Sequence, residues 1–197
     1  TLRCPRCPRE EVPNSLVNTE LKLDFFKKHF TEDFIKENVE RITFCGDDGD
    51  PIYAHDLVNV IAYFKNIKPA IEIVIVTNGS YKSEDWWSAL AMVLDAHDTV
   101  HFSIDGYNDA SNQRYRENSD WASIINGVRT LRAHSNCHMI WDAIAFEFNQ
   151  NWLDVMRQQA KDLGMDRFQL TRSTKFGRVY PIYGANDSLE PRPEFIS

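Results

Sequence analysis

The segment IEIVIVTNG, residues 71–79, is the clearest strand of this chain, and the fold class follows from it. It is a short run of β-branched residues that ends in a polar residue and glycine, as a buried strand does where it enters a loop. Comparable runs occur at 41–46, 99–105, 138–148 and 167–171, and amphipathic helical segments separate them. This alternation predicts parallel strands joined by right-handed crossover helices, which is an α/β fold.

The number of apolar runs favours an incomplete barrel. Five strands are visible and the runs end at residue 171, so we predict a partial (β/α)6-type TIM barrel of parallel strands. The chain opens with a loop and a helix, and a first strand is therefore expected before Thr1. The helical segment 21–38 is expected to restart at Thr31. Ser83 is expected to cap a helix that runs through Ala96, and Asp120 a helix over 121–133. We expect the barrel core to occupy residues 1–174, with a loop or truncated extension over 175–197.

Composition narrows the function classes. The 197 residues include 43% hydrophobic and 12% aromatic residues, which is enough for one substantial core. There are 22 Lys+Arg against 29 Asp+Glu, and the resulting net charge of -7 argues against a dedicated nucleic-acid binder. No apolar run approaches the roughly 20 residues that a membrane helix needs, and no signal peptide is visible. The expected location is cytoplasmic, without a membrane or nucleic-acid partner.

The cysteines indicate a metal or redox site. Cys4 and Cys7 form a C-x2-C pair at the start of the chain, whereas Cys45 and Cys137 stand alone in apolar stretches. In a reducing compartment such a pair suggests a metal or redox site rather than a disulfide. Cys45 and Cys137 are expected to be small core residues.

Polar, glycine-containing turns follow several of the predicted strands. In an α/β barrel the carboxyl ends of the strands share one rim, and sites are built there. Four turns on one rim therefore predict a functional site. They are Gly46–Asp47–Asp48–Gly49, Thr77–Asn78–Gly79–Ser80, Ser103–Ile104–Asp105–Gly106 and the segment at Asn149.

The N-terminal sequence TLRCPRC resembles the cluster motif of the radical S-adenosylmethionine (radical SAM) superfamily, C-x3-C-x2-C. Cys4 and Cys7 match its second and third cysteines, and the first would lie one residue before Thr1. The resemblance implies a [4Fe–4S] cluster with one iron left open for a ligand. Taken alone, the C-x2-C pair fits a structural zinc site or a redox pair equally well.

Further segments resemble the same family. The segment FCGDDGDP, residues 44–51, is similar to its glycine-rich turn, with Asp50 where Glu is more usual. The resemblance implies that this turn holds the methionine amino group and that Ser103, Asp105 and Arg116 face the ribose and the methionine carboxylate. An arginine suits a carboxylate because its planar fork can bond both oxygens. The implied cofactor-binding residues are Gly46, Asp47, Asp48, Gly49, Asp50, Thr77, Asn78, Ser103, Asp105 and Arg116.

The resemblance implies an enzyme that cleaves S-adenosylmethionine to a 5′-deoxyadenosyl radical, which removes a hydrogen atom from an unknown small-molecule or peptide substrate. It also implies an electron donor such as flavodoxin or ferredoxin. No catalytic residue stands out. Along the strand at 138–148, alternate residues face the barrel interior, and two registers are open. One points Trp141, Ala143, Ala145 and Glu147 inward, and we favour it because the alanines leave space for a ligand. The other points His138, Ile140, Asp142, Ile144 and Phe146 inward.

Two alternatives stay open. One is a barrel-like binding or scaffold protein whose C-x2-C pair is vestigial or binds zinc. The other is a phosphate- or nucleotide-binding α/β enzyme, although the chain lacks G-x-G-x-x-G and P-loop motifs.

Overall fold

The computed structural model describes residues 2–5, 7, 19–46, 49–171 and 189–195. Strands and helices alternate over this part of the chain. The strands are Arg41–Phe44 (β1), Glu72–Thr77 (β2), Thr99–Ser103 (β3), His138–Ile144 (β4) and Arg167–Thr171 (β5). The helices are Leu23–His29 (α1), Glu32–Asn38 (α2), Leu57–Ile67 (α3), Glu84–Ala91 (α4), Asp109–Asn112 (α5), Trp121–His134 (α6) and Leu153–Asp162 (α7). Short 3-10 helices cover Pro51–Tyr53 and Pro193–Phe195.

The five strands form one parallel sheet in chain order, β1-β2-β3-β4-β5. A doubly wound sheet would reverse its strand order at a switch point, and this sheet does not. The sheet is also not closed, because β1 and β5 each have a single neighbouring strand among the described residues. The predicted partial barrel of parallel strands is therefore confirmed.

The main core lies between one face of the sheet and the helices. Along β2 and β3 every second residue is buried, which is the period of a strand with two different faces. We call the face that packs on the helices the helix face. The opposite face, which carries Val74, Val76, His101, Ser103 and Asp142, is called the inner face. Buried residues of the helix face and the helices form one cluster that includes Ile73, Ile75, Val100, Phe102, Phe64, Trp87 and Leu131.

The structure corrects the expected orientation of β4. Trp141 and Ala143 are buried in the helix-face cluster. The Trp141 ring packs edge-on against Trp121 of α6, with the ring centroids 6.2 Å apart. Glu147 lies beyond the end of the strand and is exposed. The inner face of β4 carries Asp142 instead. A large indole packs better between the sheet and the helices than in the polar interior, where it would displace a ligand.

Three helices begin where capping residues were predicted. The Ser83 side chain accepts a hydrogen bond from Trp86 N, and Asp120 accepts one from Ser123 N. Thr31 accepts from Phe34 N and separates α1 from α2. Each side chain satisfies a backbone N–H that the first helical turn leaves unpaired. The helix that starts after Ser83 ends at Ala91, earlier than the expected residue 96.

A second, smaller core anchors the N-terminal segment at the rim of the sheet. It consists of buried Leu2, Cys4, Tyr115, Phe146, Phe148 and Leu189. Arg3 N also donates to the Glu117 carbonyl, at 3.1 Å. The predicted boundary at residues 174–175 lies outside the described residues. Within the described part of the chain, no helix combines the length and apolarity needed to cross a membrane.

Candidate functional site

A cavity of about 240 Å³ opens where β1, β2 and β3 end, next to the N-terminal segment. Eight residues predicted for the site line it: Cys4, Cys7, Gly46, Asp50, Thr77, Asn78, Ser103 and Arg116. The remaining lining residues are Leu2, Cys45 and Val76. Of the other predicted residues, Gly49 and Asp105 lie off the lining, and Asp47 and Asp48 lie outside the described residues.

Cys4 and Cys7 reach the cavity through a tight turn. Cys7 N donates a 3.0 Å hydrogen bond to the Cys4 carbonyl, which folds the C-x2-C segment back on itself. Cys4 is buried in the small rim core and Cys7 is half-buried. Gly46 and Asp50 of the segment after β1 line the same cavity as the two cysteines. Arg6, where the family usually has an aromatic residue, lies outside the described residues.

The Asp50 carboxylate joins the loop after β1 to the loop after β2. Its Oδ1 accepts from Ile52 N at 3.2 Å, and its Oδ2 accepts from Asn78 N at 2.6 Å and from Asn78 Nδ2. Burial raises the pKa of Asp50 above its ordinary value, although the hydrogen bonds from Asn78 and Ile52 and the charge of Arg116 act against this rise. The Asp50 side chain therefore links the two loops that form this wall of the cavity.

The turn after β2 is fixed by its own side chains. Thr77 Oγ1 accepts from Gly79 N, and Asn78 Oδ1 accepts from Ser80 N. Gly79 has φ +75°, and a Cβ there would meet the Phe102 ring at 3.0 Å, so glycine is required at this position. Tyr53 adds a further link because its hydroxyl donates to the Ser80 carbonyl.

Asp105 and Arg116 form a buried ion pair at the edge of the cavity. Arg116 Nε donates to Asp105 Oδ2 at 2.7 Å, with Asp105 0% and Arg116 16% exposed. Burial alone would lower the pKa of Arg116, but the negative charges of Asp105 and Cys4 outweigh it and raise that pKa above its ordinary value. Arg116 is therefore a permanent cation. Because Asp105 binds Nε, the two terminal nitrogens of the guanidinium remain for a ligand.

Asp105 is expected to face a cofactor ribose, and its carboxylate lies off the cavity lining. Its Oδ1 accepts from Ile144 N at 2.7 Å and its Oδ2 from Arg116 Nε, so both oxygens bind within the protein and hold the Arg116 guanidinium in place. Ser103 lines the cavity directly.

The side chain of one asparagine, Asn112, holds the loop between Ser103 and Arg116 through hydrogen bonds. Asn112 Oδ1 accepts from both Asp105 N and Gly106 N, and Asn112 Nδ2 donates to Ser119. A Cβ at Gly106 would lie 2.1 Å from Asn112 N, which only glycine avoids. Asn149 supports the same loop from β4, since its Nδ2 donates to the carbonyls of Asp105 and Ile144.

The sequence analysis missed Cys45 as a lining residue. It was expected in the core, but it is exposed and faces the cavity. The period of two along β1 carries the signal, since Ile42 and Phe44 pack on the core and Cys45 therefore points the other way. Cys137 is 1% exposed, as predicted.

The sequence family described as the Radical SAM superfamily matches residues 1–157. The chain belongs to the radical SAM superfamily. It is thus a member of a superfamily of enzymes, and the recognition made from its motifs is confirmed. Among curated proteins, no sequence is similar enough to count as a match.

Solved radical SAM structures share the fold at low sequence identity. Streptococcus suis SuiB bound to S-adenosylmethionine is 14% identical, with a TM-score of 0.66 over 91% of this chain and 38% of its own. The anSMEcpe structure with bound AdoMet is 12% identical, with a TM-score of 0.63 over 92% of this chain and 51% of its own. TYW1 with a lysine-pyruvate adduct is 14% identical, with a TM-score of 0.56 over 85% of this chain and 55% of its own. The chain thus spans between 38% and 55% of the length of these radical SAM structures.

Proposed function

We propose that this radical SAM chain holds a [4Fe–4S] cluster through Cys4 and Cys7 and binds S-adenosylmethionine in the adjoining cavity. The observation that carries the proposal is that both thiols share one cavity with the glycine-rich turn and with the permanent cation Arg116. Thiolates are the ligands that iron–sulfur clusters take. The described residues contain no group of three or more His, Cys, Asp or Glu that could hold a metal. We propose that a cysteine at the position before Thr1, which the C-x3-C-x2-C motif implies, supplies the third thiolate.

The residues of the cavity fit the polar end of S-adenosylmethionine. Arg116 would bind the methionine carboxylate with the terminal nitrogens that Asp105 leaves unused. Gly46 and Asp50 lie across the cavity, where backbone carbonyls would accept from the methionine amino group. Ser103 and Asn78 would meet the remaining polar atoms. Leu2 and Val76 supply the apolar part of the lining and would help to exclude water.

The cluster that Cys4 and Cys7 would hold would supply the electron for reductive cleavage of S-adenosylmethionine, and the cleaved cofactor would supply hydrogen-atom abstraction from the substrate. The protein's part is to bind and orient the reactants. The SuiB structure with precursor peptide SuiA and the TYW1 adduct lead us to propose a peptide or a small molecule as substrate. We also propose flavodoxin or ferredoxin as the electron donor and the cytoplasm as the location.

Formation of 5′-deoxyadenosine tests the proposal. The chain with cysteine at the position before Thr1 is reconstituted anaerobically with iron and sulfide, reduced with dithionite and supplied with S-adenosylmethionine. We expect 5′-deoxyadenosine from this protein, and none from the Cys4→Ala and Cys7→Ala variants or from the chain with serine before Thr1.

Cys137→Ala is the matched control, since Cys137 is buried on the helix face and is expected to leave the product unchanged. If the protein takes up zinc in place of iron and forms no 5′-deoxyadenosine, the proposal fails and a zinc-binding scaffold protein is favoured.

A further inference from the structure

A histidine–aspartate pair lies on the inner face of the sheet, outside the lining of the cavity. His101 Nδ1 is 2.5 Å from Asp142 Oδ2, and the two side chains are 19% and 20% exposed. The strand register aligns His101 with Val76 and Asp142 with Ser103. Val76 and Ser103 both line the cavity. Each member of the pair is therefore the direct neighbour of a cavity residue on the same face of the sheet.

Asp142 differs from the other carboxylates that are shielded from solvent. Asp50, Asp98 and Asp105 each use both oxygens as hydrogen-bond acceptors. Asp142 Oδ1 is buried and has no hydrogen-bond partner among the described residues. A buried acceptor without a partner costs free energy and calls for an explanation. The pair is therefore not explained by the stability of the sheet.

The chemistry of the pair defines what it can bind. When the imidazole is neutral, the hydrogen bond to Asp142 places its proton on Nδ1 and leaves His101 Nε2 as an acceptor. In that form the pair offers acceptor atoms and the charge of the Asp142 carboxylate. The inner-face positions aligned with the pair are uncharged: Val76, Ile140, Ser103 and Gln169. Arg167 lies diagonal to Asp142 on the same face and is exposed to solvent. The complementary ligand is a cation with several N–H donors.

We propose that the His101–Asp142 pair binds an amino or guanidino group of the substrate beside the S-adenosylmethionine cavity. This inference rests on the proposed function, because that function supplies the cofactor next to which the substrate lies. The exposed part of each side chain is the surface that the substrate contacts.

Titration with small cations tests the proposal. The probes are butylammonium and butylguanidinium chloride, with tetramethylammonium chloride as a cation that has no N–H donor. Binding is followed by the imidazole ¹⁵N chemical shifts of His101 in the reconstituted, oxidised protein. We expect a saturable shift of Nε2 with at least one of the two N–H cations, about tenfold stronger than with tetramethylammonium, because a charge-assisted hydrogen bond is lost with the latter.

The matched variants are Asp142→Asn, His101→Gln and His97→Gln. We expect the first two to weaken binding of the N–H cation about tenfold, because each replaces an acceptor atom of the pair by a different donor and acceptor set. Calorimetric titration with the cation measures binding in His101→Gln, which has no imidazole at this position. His97→Gln is the control, because His97 forms a similar hydrogen bond to Asp95 at 3.1 Å but is 72% exposed and lies outside the cavity lining. The His97→Gln protein should bind the probe like the unmodified protein.

Several outcomes would overturn the inference. The inference fails if the His101 shifts of the unmodified protein do not change with either N–H cation. It also fails if tetramethylammonium binds equally well, or if folded Asp142→Asn protein binds the N–H cation with undiminished affinity. If Asp142→Asn does not fold, the probe comparison in the unmodified protein and the His101→Gln variant still decide. Calorimetric titration of the same samples with S-adenosylmethionine separates the two proposals. If the unmodified protein does not bind S-adenosylmethionine, that result counts against the proposed function alone.

Discussion

Replacing Arg116 with alanine is expected to lower both the stability of this radical SAM chain and its affinity for S-adenosylmethionine. The Asp105 carboxylate is 0% exposed and is held by Arg116 Nε at 2.7 Å. Without Arg116 the buried charge keeps only the hydrogen bond from Ile144 N among the contacts described above. Removing one partner of a buried pair costs about 3–5 kcal/mol. The loss of a hydrogen bond to a charged ligand costs about 1.5–3 kcal/mol, or about 10- to 150-fold in Kd.

Urea denaturation measures the first effect and calorimetric titration of the reconstituted protein measures the second. Arg41→Ala is the matched control, because Arg41 Nε also lies 2.7 Å from a carboxylate, that of Glu72, but is 62% exposed. An exposed pair contributes about 0–1 kcal/mol, so this variant should unfold almost like the unmodified protein. In a double-mutant cycle, Arg116→Ala and Asp105→Asn should show a coupling of about 2 kcal/mol.

Arg116→Lys separates the two roles. A lysine ammonium is a single point charge that cannot pair with Asp105 and present a planar fork to a carboxylate at once. We expect this variant to regain more stability than cofactor affinity. If Arg116→Ala unfolds like Arg41→Ala and binds S-adenosylmethionine with unchanged affinity, both the buried pair and the proposed ligand contact are refuted.

Three further predictions concern the elements around the site. Gly106→Ala should prevent stable folding in circular-dichroism melts, because its Cβ would lie 2.1 Å from Asn112 N, whereas Gly49→Ala, with nothing within 4 Å, should melt normally. Asn149→Ala should lower the free energy of unfolding in urea by about 3 kcal/mol or more, since it leaves several buried backbone groups unpaired at about 1–3 kcal/mol each; a loss under about 1 kcal/mol would contradict this. Burial and then the charge of Asp50 raise the pKa of Tyr53 to about 12, so its contribution to stability is complete below pH 10 and is lost as the pH rises toward 12. An ultraviolet titration should therefore lose the phenol step near pH 12 in Tyr53→Phe, while the pKa of the more deeply buried Tyr115 is raised further still. Persistence of the step near pH 12 would count against the assignment.

The strand order and the rim could be predicted because they follow from local patterns. Apolar runs at strand length, such as 71–77, alternate with amphipathic segments, and right-handed crossovers then place every carboxyl end on one rim. Capping residues such as Ser83 and Asp120 act within three residues of themselves, so the starts of the helices that they cap could also be predicted.

The pairings across the site could not be predicted because they join residues far apart in the chain. Asp50 binds Asn78 from another loop, and Asn149 reaches the Asp105 carbonyl from the far side of β4. Nothing in the spacing of Asp105 shows that both its oxygens are used within the protein. The inward face of β4 was predicted wrongly because a strand with two covered faces does not alternate cleanly, since Met139, Ile140 and Trp141 are all buried.

The most direct test of the account is the electron paramagnetic resonance spectrum of the reconstituted, dithionite-reduced protein before and after addition of S-adenosylmethionine. The account predicts a [4Fe–4S]⁺ signal that is lost in Cys4→Ala and Cys7→Ala and whose g-values change when S-adenosylmethionine binds. Stoichiometric zinc without iron, or an iron–sulfur signal that does not respond to S-adenosylmethionine, would contradict it.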